Sequence, residues 1–259
     1  MANIFNLILF DPIFNALIFL YKYIGDLGVA IIVLTVIIRF ILYLPSRSSI
    51  KAQKAMQDIQ PKLKELQNKY KNNKEELGKQ MIKFYKENKV NPFSSCLPLL
   101  IQLPILIALY QTFIAVAPPH VDPNTHILVA KQLQHLYGPL RDLYLNTAII
   151  PDFLGIADLS AKHNIILAVL AAGFQFWQSK MLMTKKPAVK DKGARDESIA
   201  ANVSTQMTYL LPLFTGYIAY QFPAGLALYW VVSTIFSIVQ QYYIFKKQKL
   251  QPETKPEKV

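Results

Sequence analysis

The most informative pattern in this chain is the alternation of long apolar blocks with charged segments. At about 1.5 Å of rise per residue, roughly twenty apolar residues span the hydrocarbon core of a bilayer as a helix. The pattern therefore predicts an all-α polytopic membrane protein with five transmembrane helices. The predicted spans are residues 25–45, 91–117, 164–184, 203–222 and 224–245.

The first predicted span contains a charge. Within Leu27 to Leu44 the polar side chains are Arg39 and, one helical turn earlier, Thr35. A charge at the centre of a membrane helix costs roughly 2.5 to 3.5 kcal/mol on insertion scales, so it suggests a functional site. The other interpretation is an anchor, because a long side chain five residues before Leu44 can snorkel to the interface. The span alone leaves both interpretations open.

Residues 1–24 precede this span and are apolar but interrupted. Asp11 and Pro12 divide them into two halves, neither of which is long enough to cross a bilayer. We expect an amphipathic helix from Pro12 to Tyr23 that lies in the outer interface. The alternative is an additional spanning helix.

Residues 46–90 are predicted to form a basic helical hairpin in water. The stretch 45–90 has twelve Lys or Arg against five acids. Asn73 and Glu76 have the spacing of a capping box after a turn at Asn72, and Pro61 predicts a kink in the first arm. Apolar residues recur at coiled-coil spacing in both arms, as Met56, Ile59, Leu63, Leu66 and Tyr70, and then Leu77, Met81 and Phe84. The alternative is a solvated hairpin with no further role.

The distribution of charge predicts the orientation of the spans. The net charge is +12, and segments 45–90, 180–202 and 246–259 carry twelve, six and five basic residues. Segments 1–26 and 118–163 carry one and three. The positive-inside rule then places the N-terminus outside and the C-terminus in the cytoplasm. Residues 185–202 become a cytoplasmic loop, 246–259 a basic cytoplasmic tail, and 118–163 an outer soluble segment.

Candidate chemistry is sparse outside the spans. His120, His126 and His135 share neither helical spacing nor a common set of carboxylates, so we expect no metal site. Cys96 is the only cysteine, which excludes an internal disulfide. With no nucleophile and base pair and no phosphate loop, we expect neither an enzyme nor a cofactor.

Polar side chains within the spans are the candidate site. They include Arg39, Thr35, Gln102, Gln175, Gln178, and a stripe on the last span made of Trp230, Ser233, Thr234, Ser237 and Gln241. Helix bundles hide such groups from lipid, so a wet, cationic interior is expected. Apart from Asp26, at the start of the first span, no Asp or Glu occurs in the five spans, which argues against proton-coupled transport. An anion channel or transporter, and a site that shelters polar protein segments, both remain. Taken singly, most of these residues are explained equally well by hydrogen bonds between helices.

Several stretches resemble the YidC family of membrane protein insertases, which has mitochondrial and chloroplast relatives. The stretches are QFPAGLALYWVVSTIFSIVQQYY (221–243), NPFSSCLPLLIQLPI (91–105), MQDIQPKLKELQNKY (56–70), FYKENKVNP (84–92) and RFILYLP (39–45). They occur in the family's order and extend the similarity from about residue 24 to 247.

The resemblance implies an insertase and chaperone with a groove open to the cytoplasm and to lipid. Arg39 would attract acidic residues of a substrate, with Gln175 and Trp230 lining the groove and Gln178 a rival for the place of Gln175. The implied partners are nascent membrane proteins, membrane lipids, the ribosome, the signal recognition particle machinery and the Sec translocon, without direct DNA binding.

The chain departs from the family pattern at FLGIADLS (153–160), which has Gly155 where a tryptophan is usual. The outer segment 118–150 is longer than in compact members. We expect a compact bacterial form with neither a large outer domain nor a lipoprotein signal.

Overall fold

A computed structural model describes residues 4–70, 73–91, 97–117, 120–122, 124–182 and 199–250. These residues form ten α-helices, one π-helical turn and one two-stranded sheet. The predicted turn residue Asn72, the single cysteine Cys96, most of the loop 185–202 and the end of the basic tail lie outside the described residues. The described chain is predominantly helical, in agreement with the predicted fold class.

The N-terminal helix is continuous, and the predicted break at Asp11 and Pro12 is wrong. A π-helical turn, Asn6–Phe10, leads directly into α1, Asp11–Ile24. The wider turn shifts the hydrogen bonding so that the N–H of Asp11 donates to the Asn6 carbonyl, and Pro12, which has no N–H, falls in the first turn of α1. Gly25, in a left-handed conformation, ends the helix.

The first predicted span is shorter than expected. Helix α2 covers Leu27–Ile41 and begins where the Asp26 side chain accepts the N–H of Val29. Leu42 leaves helical geometry, and α3, Tyr43–Lys69, continues at an angle of 68°. Pro45 therefore lies in the first turn of α3, where proline is tolerated. Arg39 is in the last turn of α2 instead of one turn further from the end.

The hairpin arms are α3 and α4, Lys74–Glu87, which contact each other. The predicted cap is confirmed, because the Asn73 side chain accepts the N–H of Glu76 at 3.1 Å. Helix α3 continues through Pro61. Leu63, in the predicted seam, is buried, whereas its neighbours in the seam are half-buried.

The outer segment is structured and fastened to the N-terminal helices. After α5, Leu97–Ala115, it contains α6, Ala130–Leu133, α7, Gly138–Tyr144, and an antiparallel pair, β1, Asp152–Phe153, with β2, Ala157–Asp158. The Asn15 amide of α1 donates to the His135 carbonyl at 2.8 Å and accepts the N–H of Tyr137 at 2.7 Å. The Tyr21 hydroxyl accepts the N–H of Ile150.

Two of the histidines lie near carboxylates, which the sequence did not lead us to expect. His135 Nδ1 lies 2.8 Å from Asp11 Oδ1, although 124 residues separate them in the chain. His126 lies close enough to Asp122 to interact with its carboxylate electrostatically. Neither pair belongs to a cluster of three or more potential metal ligands within the described part of the chain.

The C-terminal helices surround α10. Helix α8, Ile165–Met181, is capped by Asn164 and packs mainly against α9, Ile199–Gln221, and α10, Ala224–Leu250. The predicted corner at Pro223 is present, and the N–H groups that follow it donate to carbonyls of the outer segment. Helix α9 begins before residue 203, and α10 continues beyond residue 245. Helix α10 packs against α2, α3, α5, α8 and α9. It is therefore the central helix of the bundle, and α2 connects it to α1.

Length and apolar composition identify fewer membrane helices than the five predicted spans. Within the described residues, Asn6–Ile24 and Ala224–Lys247 are long and apolar enough to cross a membrane. The bent pair Leu27–Ile41 and Tyr43–Lys69 would make a third if it is counted as one span. Leu100–Ala115 and Ile165–Met181 are apolar but shorter.

Candidate functional site

The site centres on Arg39, in the last turn of α2. Its guanidinium Nη2 donates a hydrogen bond to the hydroxyl of Ser233 on α10, a residue 194 positions later in the chain. Arg39 is half-buried and Ser233 is buried, 3% exposed. A hydroxyl is neutral, so this contact orients the guanidinium without neutralising it. The one acid in the five predicted spans is Asp26, which lies at the other end of α2, 13 residues before Arg39.

Tyr229 connects Arg39 to α5. Its hydroxyl accepts a hydrogen bond from the Gln102 side-chain amide and lies within electrostatic range of the guanidinium. The ring is buried, 2% exposed, and a buried tyrosine hydroxyl needs such a partner. Gln102 therefore contacts the helix that carries Ser233, through Tyr229. Tyr229 was missed, although its position one turn before Ser233 could have identified it.

The predicted polar stripe of α10 points inward. Ser233, Thr234, Ser237 and Gln241 are all buried. The Thr234 and Ser237 hydroxyls donate to backbone carbonyls four residues earlier, at 2.8 and 2.9 Å. Thr35 does the same on α2, where its buried hydroxyl donates to the Ile31 carbonyl at 2.6 Å. These hydroxyls are satisfied within their own helices, so they can lie in an apolar environment at low cost.

The other predicted residues have no described bond to the cluster. Trp230 is half-buried on α10, and its carbonyl accepts the Thr234 hydroxyl. Gln175 and Gln178 are half-buried on α8, which packs mainly against α9 and α10. The structure thus bonds Arg39 to Ser233 and Gln102 to Tyr229, one turn before Ser233 on α10, and places Gln175 and Gln178 on a different helix of the bundle.

A polar contact lies beyond the end of α2. The side-chain oxygen of Gln240 on α10 accepts the hydroxyl of Ser46 at 3.0 Å, and its amide donates to the Tyr43 carbonyl at 3.3 Å. Beside this contact, Lys54 Nζ lies 5.8 Å from the Phe245 ring centroid. We call the contact of Tyr43 and Ser46 with Gln240 the α3–α10 contact. It fixes the direction in which α3 leaves the helix bundle.

The opposite end of the bundle is apolar and closely packed. Phe113 of α5, Leu27 and Ile31 of α2, and Leu159 of the outer segment are buried around the start of α10. Gly225 allows this packing, because a Cβ there would lie 3.3 Å from the Ile31 side chain. The polar cluster is therefore separated from the outer segment by a packed apolar layer.

Comparisons with known proteins agree on one family. Residues 19–252 match the family described as 60Kd inner membrane protein. The membrane protein insertase YidC of Geobacter sulfurreducens is 33% identical over 234 residues, 90% of this chain and 36% of the relative. The protein of the same name from Treponema denticola is 33% identical over 229 residues, 88% of this chain and 36% of the relative.

One solved structure has the same fold. It is described as an active YidC insertase with the first transmembrane domain resolved, and it is similar with a TM-score of 0.59 and 24% identity. The match covers 90% of this chain and 46% of that one. The chain spans about a third of the length of the curated relatives that it matches.

Proposed function

Because this chain belongs to the 60Kd inner membrane protein family, we propose that it is a membrane protein insertase and chaperone. It receives newly made membrane proteins, provides a hydrophilic groove for their polar segments and lets the apolar segments pass into lipid. No bond is made or broken, so the activity is not enzymatic. The relatives named as YidC insertases support this proposal.

The observation that carries the proposal is the uncompensated charge of Arg39. Its described hydrogen-bond partner is the neutral hydroxyl of Ser233, so the positive charge is available to a substrate. At an effective dielectric constant of about 20, a carboxylate ~4 Å away is attracted by about 4 kcal/mol before desolvation is subtracted. Such an attraction can draw in an acidic tail and still release it.

We propose five spans, with the N-terminus outside and the C-terminus in the cytoplasm of a bacterial plasma membrane. The α-helical core of these spans is α2, α5, α8, α9 and α10. From Asp26 to Arg39 the helix rises roughly 20 Å, which would place Arg39 in the inner half of a bilayer whose core is about 30 Å thick. The basic segments 45–90, 180–202 and 246–259 support this orientation.

Helix α1 lies in the outer interface in this proposal, although it is long enough to span. Asn15 and Tyr21 both bond to the backbone of the outer segment, at Tyr137 and Ile150. Because α1 contacts the outer segment both at Asn15 and at Tyr21, the helix runs alongside that segment and does not cross the membrane away from it. These contacts favour an interfacial helix over an additional span.

The basic hairpin is the proposed contact with lipid headgroups and with the ribosome, the signal recognition particle machinery and the Sec translocon. Near an anionic surface each basic residue contributes up to about 1 kcal/mol. Replacing residues 52–86 with a short linker should preserve the thermal stability of the helices and reduce insertion. A loss of stability as large as that of a core variant would assign the hairpin a structural role.

Substitution of Arg39 tests the proposed mechanism. With a single-span substrate that has an acidic outward tail, Arg39→Lys should retain most insertion, and Arg39→Ala and Arg39→Glu should lose it. Protease protection of the substrate tail in vesicles is the measurement, with expression of each variant checked. A substrate with a neutral tail is the matched control, because its insertion should depend less on Arg39. Insertion of the acidic substrate at the native rate by Arg39→Ala would make Arg39 a snorkelling anchor.

The rival function, an anion channel, gives a different result with purified protein in liposomes. A saturable anion conductance that Arg39→Ala abolishes would favour the channel. Orientation is tested separately with a reporter that is active only in the cytoplasm. The reporter should be active when fused after Lys71, Lys192 or Val259 and inactive after Gln134, and activity at Gln134 would contradict five spans.

A further inference from the structure

The tip of the β1–β2 hairpin combines a tight turn with two exposed apolar side chains. The Phe153 carbonyl accepts the N–H of Ile156 at 2.8 Å and closes the turn. Its two central residues, Leu154 and Gly155, have φ of +52° and +70°. Positive φ at both central residues is the feature of a type I′ turn, here within a three-residue connection between Phe153 and Ala157.

Leucine is an unfavourable choice at the first central position of this turn. Left-handed conformations favour Gly, Asn and Asp, because a larger side chain crowds the following carbonyl oxygen. The Leu154 side chain is nevertheless 61% exposed, and Ile156 beside it is 80% exposed. If water surrounded the tip, both the backbone conformation and the exposure would disfavour these residues. An apolar environment outside the protein accounts for the exposure, and burial of the two side chains there would offset the cost of the backbone conformation.

The tip is fixed at the outer end of α2. Asp26 accepts the N–H of Leu154 at 2.6 Å with one carboxylate oxygen and the N–H of Val29 with the other. The Phe153 ring covers Gly28, where a Cβ would overlap the ring. The hairpin therefore cannot move independently of the start of this helix.

Apolar residues on the adjoining helix ends are also exposed. Tyr23 and Ile24, at the end of α1, are 69% and 37% exposed, and Ile165 and Ile166, at the start of α8, are 64% and 74% exposed. Lys22 Nζ lies 5.4 Å from the Tyr23 ring centroid, a combination of aromatic and basic side chains that is common at membrane interfaces. The exposed apolar residues of the hairpin tip are thus accompanied by exposed apolar residues at the end of α1 and the start of α8.

We propose that Leu154 and Ile156 insert into the outer leaflet of the bilayer and bind phospholipid acyl chains near the glycerol level. The hairpin is then a membrane anchor that fixes the depth of α2 and, through that helix, the depth of Arg39. Gly155 takes part because the second central position of the turn requires a left-handed residue, and the two neighbouring side chains supply the apolar surface. The inference rests on the proposed topology and does not depend on insertase activity.

A fluorescent probe at the tip tests the proposal in the full chain. With Cys96→Ser as background, Ile156→Cys is labelled with an environment-sensitive dye and the protein is reconstituted into phosphatidylcholine vesicles. The dye should emit at shorter wavelength and lose intensity when the lipids carry a nitroxide near the headgroup end of the acyl chain. Asn124→Cys is the matched control, because Asn124 is exposed in a polar turn of the same outer segment. Its dye should be quenched by aqueous iodide instead.

Leu154→Asn separates lipid contact from folding of the hairpin. Asparagine suits the left-handed position, so the turn should form, whereas the dye at position 156 should become less quenched by nitroxide lipid and more quenched by iodide. Equal iodide quenching at positions 156 and 124 in the parent would overturn the proposal. Short-wavelength emission without nitroxide quenching would also overturn it, because the tip would then face protein. Labelling of position 124 from outside sealed vesicles checks the topology independently.

Discussion

Removal of the Asn15 side-chain amide should detach the outer segment from α1. Asn15 is 4% exposed and makes three described hydrogen bonds, to the carbonyls of Asp11 and His135 and from the N–H of Tyr137. Asn15→Ala leaves the His135 carbonyl and the Tyr137 N–H without the side-chain amide as a hydrogen-bond partner. Each unsatisfied buried group costs about 1 to 3 kcal/mol, and partial access of water favours the lower end, so we expect a loss of about 2 kcal/mol.

Thermal unfolding in detergent is the assay for Asn15→Ala. By the relation for soluble chains of this size, a loss of about 2 kcal/mol lowers the Tm by roughly 4 to 8 °C. Asn15→Asp is an informative second variant, because it can still accept the N–H of Tyr137 but brings a buried carboxylate against the carbonyls of Asp11 and His135, so it should lower the Tm at least as much as Asn15→Ala. Asn146→Ala, at an exposed position of the same outer segment, is the control.

Proteolysis should report the same detachment, with faster cleavage of the outer segment in Asn15→Ala than in Asn146→Ala. An Asn15→Leu variant with native Tm and native cleavage would refute the reasoning. It would mean that shape alone, without the amide, holds the outer segment in place.

Two further predictions concern the outer side of the molecule. Gly28→Ala would place a Cβ 2.6 Å from Phe153 Cβ, and overpacking of this kind costs about 1 to 3 kcal/mol. The Tm should therefore be lower than that of the control Gly173→Ala, whose new Cβ meets nothing within 4 Å. Equal Tm values would contradict the described packing. The pKa of Asp122 lies below the usual carboxyl range because the backbone N–H of Thr125, and then that of Asn124, donate to its carboxylate. The turn should therefore be fully stable above the pKa of Asp in the unfolded chain, and it should loosen as the pH falls through the lower pKa of the folded chain. Amide exchange of the turn should show this change, and Asp122→Asn, which keeps the acceptor oxygen but does not titrate, should remove the pH dependence.

The sequence predicted the helices well because the signal for them is local. Apolar blocks and caps are visible in a single stretch, and α8, capped by Asn164, begins one residue later than its predicted span. The bend at Leu42 was missed, since leucine is an ordinary helix residue and no glycine or proline occupies that position. The local signal is Pro45, which has no N–H to donate to the Ile41 carbonyl, and the packing of α3 against α10 also favours the bend.

The site was predicted less completely because its bonds join distant parts of the chain. Arg39 was identified as an isolated charge, but its partner Ser233 lies 194 residues later. In the sequence, Tyr229 is one aromatic residue in an apolar helix, and only the structure shows that the Gln102 amide lies beside its hydroxyl. The contact of Gln240 with Ser46 was likewise absent from the prediction, because neither residue is unusual in its own stretch.

The 68° bend and the α3–α10 contact together make α3 a lever with its fulcrum at Leu42. The helix has 27 residues and is about 40 Å long, whereas the Ser46 contact lies about 6 Å from the fulcrum. A force applied at the far end is therefore multiplied roughly sevenfold at that contact, which consists of neutral hydrogen bonds worth only about 1 kcal/mol each. We expect a ligand pulling on the distal end of α3 to release Gln240 well before it disturbs α2. The test is the distance between spin labels on α3 and α10 while a ligand is bound at the distal end of α3. A distance that does not change would show that α3 bends along its length and leaves the α3–α10 contact intact.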